Sequence, residues 1–239
     1  MPAPLLVFDL DGTLLDTAPD LLGALNAVLH EDGLPPADRA TLARRFGHGA
    51  KALIVEAYRH AGQTGIDDRV ERLTERFLIH YTSRIAAETR PFPGAVAAMD
   101  RLAALGVRFA VCTNKREGMA VPLLEALGLM HRFDAVLGGD SLPVRKPDPG
   151  HLLGAIAAAG GIPSASVLVG DSDADVLAAR AAGVPVVGVT FGYSPDPMEQ
   201  LNPSAVIDRF DDLDAALAAV SPAFAAVLAG PQKAAIAAS

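Results

Sequence analysis

Leu5-Leu6-Val7-Phe8 is apolar at every position and stops at Asp9. A short run of this kind, closed by an acidic turn containing Gly12, predicts a strand buried on both faces. From Asp16 to about Ala87 the period changes. Leu21, Leu22, Leu25, Val28 and Leu29 recur at helical spacing, followed by Leu53, Ile54, Ala57 and Tyr58, and then by Val70, Leu73, Phe77 and Tyr81. This stretch reads as mostly helix. Pro91-Phe92-Pro93-Gly94 closes it, because each proline biases the residue before it toward extended geometry. Beyond that point apolar runs at 107–112, 135–137, 166–169 and 186–189 alternate with helical stretches, the mark of a parallel sheet with crossover helices. The chain is therefore read as an α/β core over 1–15 and 88–239. A helical block over 16–87 is inserted after the first of five strands. Ala-rich sequence from Ala215, broken by Pro222 and Pro231, predicts one more helix and a frayed end.

Composition narrows the function. Twenty Lys+Arg against 28 Asp+Glu leave a net charge of −8 over 239 residues. Such a chain gains nothing from counterion release on a polyanion, so nucleic acid is not an expected partner. Cys112 is the single cysteine, which excludes an internal disulfide and suits a reducing, cytoplasmic setting. The first residues show no basic stretch and no cleavage site of the secretory kind. Arg180, Pro185 and Ser221-Pro222 interrupt the longest apolar stretches, so no membrane span is expected.

The candidate chemistry lies at the predicted strand ends. Asp9-Leu10-Asp11-Gly12-Thr13 places two carboxylates two positions apart, where they can share one side of a strand end. Thr113-Asn114-Lys115 follows the second core strand, and the Thr-Asn pair fits a helix N-cap as readily as a hydroxyl and amide at a binding mouth. Lys146 precedes a predicted helix in Arg145-Lys146-Pro147-Asp148-Pro149. Gly170-Asp171-Ser172-Asp173-Ala174-Asp175 ends another strand, and helix capping accounts for one or two of its acids but hardly three. Ligands of open α/β sheets bind outside the carboxyl ends of the strands. Asp9, Asp11, Asp171 and Asp175 gathered there repel one another by about 4 kcal/mol per pair at ~4 Å, so positive charge must sit among them. Oxygen ligands without His or Cys suit Mg²⁺, and Lys146 supplies a second cation. A metal, a lysine, a hydroxyl and a reactive carboxylate suit phosphoryl transfer.

These four motifs, in this order from Asp9 to Asp175, resemble those of the haloacid dehalogenase superfamily of phosphatases. The resemblance implies a Rossmann-like parallel sheet with a small helical cap inserted at 16–87. It implies that Asp9 is the nucleophile of an aspartyl-phosphate intermediate and Asp11 the acid/base. By the same resemblance Thr113 and Asn114 hold phosphoryl oxygens, and Lys146 bridges nucleophile and phosphate. Mg²⁺ is then held by Asp9, Asp171 and the backbone carbonyl of Asp11, with Asp175 in support. The presence of Asp11 sets the chain apart from true dehalogenases, and a small phosphorylated metabolite is the implied partner. Within the superfamily the likeness is closest to the bacterial branch acting on 2-phosphoglycolate, through Asp16-Thr17-Ala18-Pro19-Asp20, Leu123-Leu124-Glu125-Ala126-Leu127, Gly138-Gly139-Asp140 and Gly192-Tyr193. Amino-sugar phosphates, pyrophosphate and a phosphomutase reaction stay open. In the cap segment Gly47-His48-Gly49-Ala50-Lys51, His48 is a candidate substrate contact, with Lys51, Arg44 and Arg45 as further positive side chains.

Overall fold

The computed structural model describes residues 3–42 and 49–230. The chain opens with β1 (Leu5–Phe8), then β2 (Leu15–Asp16) and the helices α1 (Ala18–Glu31), α2 (Arg39–Leu42), α3 (Ala50–His60) and α4 (Val70–Ser83). It returns through β3 (Arg90–Pro91) into α5 (Ala95–Ala104), β4 (Arg108–Cys112), α6 (Glu117–Ala126) and β5 (Ala135–Leu137). The remainder is α7 (Pro149–Ala158), β6 (Ser166–Gly170), α8 (Asp173–Ala182), β7 (Val186–Val189), β8 (Ala205–Ile207), α9 (Leu213–Val220) and α10 (Pro222–Leu228).

Six strands form one sheet in the order β5-β4-β1-β6-β7-β8, and every adjacent pair is parallel. The all-apolar β1 lies inside it, because both of its faces are covered. Leu6 and Phe8 enter one apolar cluster with Met99, Leu123 and Phe210, whereas Leu5 and Val7 enter another with Leu152, Ile156 and Val176. Phe8 is level with Val111 of β4 and Val169 of β6, so the next residue of each strand reaches the same rim. The sheet has one strand more than the apolar runs predict. β8 is three residues long, as β5 is, but it follows directly on Asn202-Pro203-Ser204, whose proline and polar residues read as loop and mask it.

The helices α1, α3 and α4 share a separate apolar core of Leu25, Val28, Leu29, Ile54, Tyr58, Leu73, Phe77 and Tyr81. The chain enters and leaves this helical region through a two-stranded antiparallel ribbon, where Leu15 faces Pro91 and Asp16 faces Arg90. Helical periodicity gives no sign of that ribbon. Asp20, fully buried in the first turn of α1, clasps it: its carboxylate accepts from the Glu88 and Thr89 amides at 2.9 and 2.8 Å and from the Thr89 hydroxyl at 2.8 Å. Burial raises the pKa of Asp20, but these bonds and the Arg84 guanidinium outweigh it and leave the carboxyl below its ordinary range. After Pro222 the chain forms α10, which anchors Phe224 in the core; residues 231–239 lie outside the described residues.

Candidate active site

Three neighbouring strands deliver their C-terminal residues to one mouth. Asp9 follows β1, Thr113 follows β4 and Asp171 follows β6, while Lys146 comes in from the loop before α7. All four are buried, as is Asp175 in the first turn of α8. Lys146 Nζ lies 3.0 Å from Asp9 Oδ1 and 2.6 Å from Asp175 Oδ1. Asp9 Oδ1 also accepts from the Leu10 amide at 2.7 Å, and among the described residues no hydrogen bond is recorded to Oδ2. One oxygen is fixed and the other is left for a ligand or an electrophile.

Asp171 is held from two sides. Its Oδ1 accepts from the Thr13 hydroxyl at 2.9 Å and its Oδ2 from the Tyr193 amide at 2.7 Å. Two glycines make that room. A Cβ on Gly12, whose φ is +83°, would lie 2.4 Å from Asp171 Oδ2, and one on Gly192 would lie 2.3 Å from Asp171 Cβ. Asp175 has a different task. It closes a capping box with Ser172 at the start of α8, accepting from the Ser172 amide at 3.1 Å and hydroxyl at 2.5 Å, and turns its other oxygen to Lys146. Of the three acids in this turn, two serve helix and lysine, and Asp171 alone faces the mouth together with Asp9.

Carboxylate oxygens of Asp9, Asp171 and Asp175 lie within 4.8 Å of one another. Burial pushes the Asp9 carboxyl up to about 6, against the pull of Lys146, with Asp175 and Asp11 adding to the rise. Asp171 is pushed up to about 8 by burial and then by the charges of Asp9 and Asp175. Lys146 is desolvated as well, yet Asp175 and Asp9 hold its pKa above the ordinary lysine value. One ammonium among three buried carboxyls leaves an excess of negative charge, and the ligands are hard oxygens, so the cluster fits a divalent metal ion.

The remaining predicted residues separate into those brought to the mouth and those kept from it. Asn114 donates from Nδ2 to the Lys146 carbonyl at 3.0 Å, which ties the two loops, and its Oδ1 is buried and, among the described residues, without a partner. Thr113 is not a helix cap: α6 begins at Glu117 after Arg116, and the Thr113 hydroxyl accepts from the Lys115 amide at 3.2 Å. The Asp11 carboxylate stays outside the metal cluster and pairs with Lys115, whose Nζ is 3.1 and 3.3 Å from its two oxygens. Lys51 is exposed and bound to Glu71. His48, Arg44 and Arg45 lie outside the described residues.

The sequence pattern of haloacid dehalogenase-like hydrolases matches this chain over residues 6–189. The chain belongs to that family. Among its haloacid dehalogenase-like relatives, a phosphoglycolate phosphatase of Agrobacterium fabrum is 46% identical over 90% of this chain and 92% of its own length. A phosphoglycolate phosphatase of Caulobacter vibrioides is 44% identical over 87% of this chain and 88% of its own. The crystal structure of a predicted phosphoglycolate phosphatase from Haemophilus somnus superimposes with a TM-score of 0.81 at 34% identity, covering 88% of this chain and 96% of that one. As a family member this chain is a hydrolase. Among the described residues no helix is long and apolar enough to cross a membrane.

Two site residues stand in motifs of the sequence but receive no role from them. Tyr193 reaches from the loop after β7 to the linker before α1, donating to Asp16 at 2.7 Å and accepting from the Ala18 amide at 2.8 Å. Lys115 stood in the Thr-Asn-Lys motif without a role of its own, because its partner Asp11 is 104 residues away.

Proposed function

We propose that this protein is a Mg²⁺-dependent phosphomonoesterase that hydrolyses 2-phosphoglycolate to glycolate and phosphate through an aspartyl-phosphate. The observation that carries the reading is the asymmetry of Asp9, fixed at Oδ1 by Lys146 and Leu10 and unbonded at Oδ2 among the described residues. In the proposed reaction Oδ2 attacks phosphorus, an Asp9–phosphorus bond forms, and the bond from phosphorus to the glycolate oxygen breaks. Asp11 donates the proton that glycolate takes away. It then removes a proton from the water that attacks the acyl phosphate, which releases inorganic phosphate and restores Asp9. Lys146, Thr113 and Asn114 neutralise and orient the phosphoryl oxygens.

Asp9, Asp171 and the main-chain carbonyl of Asp11 would hold the Mg²⁺, with Asp175 supporting through Lys146. When bound, the ion supplies positive charge where carboxylates and phosphoryl oxygens meet. The helical segment 16–87 acts as a cap that limits water and selects substrate, with His48 as a contact. The single buried cysteine, Cys112, suits a cytoplasmic enzyme. Support for the substrate comes from the names of the relatives.

The test is phosphate release in Mg²⁺ from 2-phosphoglycolate, an amino-sugar phosphate, pyrophosphate and an aryl phosphate, ranked by kcat/KM. A large preference for 2-phosphoglycolate is expected, with turnover lost in chelator and restored by added Mg²⁺. A higher rank for another ester moves the substrate, and an isomerised sugar phosphate in place of free phosphate marks a mutase. Undiminished turnover in chelator refutes the metal.

A further inference from the structure

We propose that Lys115 is the specificity-determining cation of this site: it receives the substrate's carboxylate in exchange for Asp11, and so frees Asp11 for the leaving oxygen. The inference rests on the reading of 2-phosphoglycolate as substrate. Lys115 Nζ is 3.1 and 3.3 Å from the two oxygens of Asp11, and its side chain is only 4% exposed. Asp11 is the one carboxylate recorded against it. Held there, both oxygens of Asp11 are engaged by Lys115, whereas the acid/base must serve the leaving oxygen. A group that replaces it must be an anion, because a buried ammonium left without a partner is costly.

The connectivity of the substrate fits this pair closely. In 2-phosphoglycolate one methylene separates the ester oxygen from the carboxylate. The acid that serves that oxygen and the cation that receives that carboxylate must therefore be immediate neighbours, and Asp11 and Lys115 are. Longer esters, with the charge several atoms further out, place it beyond such a pair.

The cap supplies the other half of the pocket. Lys115 Nζ lies 4.6 Å from the centre of the Tyr81 ring on α4. The Tyr81 hydroxyl is buried beside Lys115, from which it can accept, and among the described residues no acceptor is present for its own proton. A buried donor without an acceptor calls for one, and a substrate carboxylate beside Lys115 offers it. Lys51, one of the cap cations expected from the sequence, is held on the surface by Glu71. A carboxylate bound between Lys115 and Tyr81 would touch the core and the helical segment at once.

The experiment compares 2-phosphoglycolate with ethyl phosphate, which has the same ester and no carboxylate, in wild type, Lys115→Met and Tyr81→Phe. The wild type is expected to favour 2-phosphoglycolate strongly. In Lys115→Met the ratio of the two kcat/KM values should fall on the order of 100-fold, from loss on the carboxylated substrate. In Tyr81→Phe it should fall about tenfold, chiefly through KM, as one hydrogen bond is lost. A preference kept in both variants, with both substrates slowed alike, overturns the role of Lys115 and leaves the substrate reading intact. A wild type without preference overturns the substrate reading, and this inference with it. Where Lys115→Met fails to fold, the Tyr81→Phe ratio decides by itself: a fall supports the pocket and an unchanged ratio overturns it.

Discussion

Replacing Lys146 by methionine keeps most of the side-chain volume and removes the one ammonium from a nest of three buried carboxyls. At 3.0 and 2.6 Å, with an effective dielectric near 20, each lost attraction is about 6 kcal/mol before desolvation is counted. The ammonium's own desolvation offsets much of this, and breaking a buried pair costs about 3–5 kcal/mol net. That is a large share of the ~5–15 kcal/mol that holds a domain together. The cost depends on pH in a defined direction. Asp9 and Asp171 have folded pKa values of about 6 and about 8, above the ordinary 3.8 of the unfolded chain. Across that window the folded state binds more protons, so its stability falls as pH rises. Without Lys146 these carboxyls hold their protons still more tightly, which relieves the charge in acid and leaves it uncompensated in alkali. Urea unfolding in chelator, followed by circular dichroism at about pH 5.5 and about pH 8, should show Lys146→Met destabilised at both and by several-fold more at the higher. Equal losses at the two pH values, or none near pH 8, would refute the electrostatic account of the mouth.

Asp9→Asn should abolish phosphate release while the unfolding midpoint in chelator rises or stays, because a like charge leaves a repulsive cluster; sustained turnover would sink the nucleophile assignment. Gly12→Ala forces a side chain at φ +83° to within 2.4 Å of Asp171, and should cost about 1–3 kcal/mol together with most of the metal affinity, read by thermal shift on adding Mg²⁺. Asp20→Ala removes the acceptor of the Glu88 and Thr89 bonds and should cost about 2–4 kcal/mol at neutral pH. Since the folded pKa of Asp20 is depressed, its contribution is complete above the ordinary carboxylate range and disappears as pH falls through the lowered value, so variant and wild type should converge in acid.

What could be read from the chain alone was local. β1 and β4–β7 announce themselves because runs of three to five mostly apolar residues stand between turn signals, and Asp9, Asp171 and Lys146 because each follows a strand or precedes a helix. β8 does not, being three residues beside a proline, and neither does the ribbon of β2 and β3, whose two-residue strands carry no period. The sequence puts Asp175 among the acids of the mouth; only the fold shows that one of its oxygens caps the helix and the other holds Lys146. Lys115 and Tyr81 were visible as a motif lysine and a helical apolar position, and nothing in their spacing brings them to Asp11. Pairings across tens of residues depend on topology, and topology is what a single chain states least directly.

The ribbon of β2 and β3 has a further consequence, for the history of such a chain and for its redesign. Leu14 and Phe92 are joined by a backbone hydrogen bond of 3.0 Å, so the inserted segment starts and finishes at almost one point of the scaffold. From the sheet's side, what lies beyond that point is a closed loop whose ends are already together, and lengthening such a loop costs only a fraction of a kcal/mol per added turn, roughly. Segments of different size and selectivity can then be exchanged like cartridges on an unchanged reactive centre. The exchange carries conditions set by single side chains: a new segment needs an acid at the position of Asp20 to hold the ribbon shut, an acceptor for the Tyr193 hydroxyl, and a ring for Lys115 to lie over.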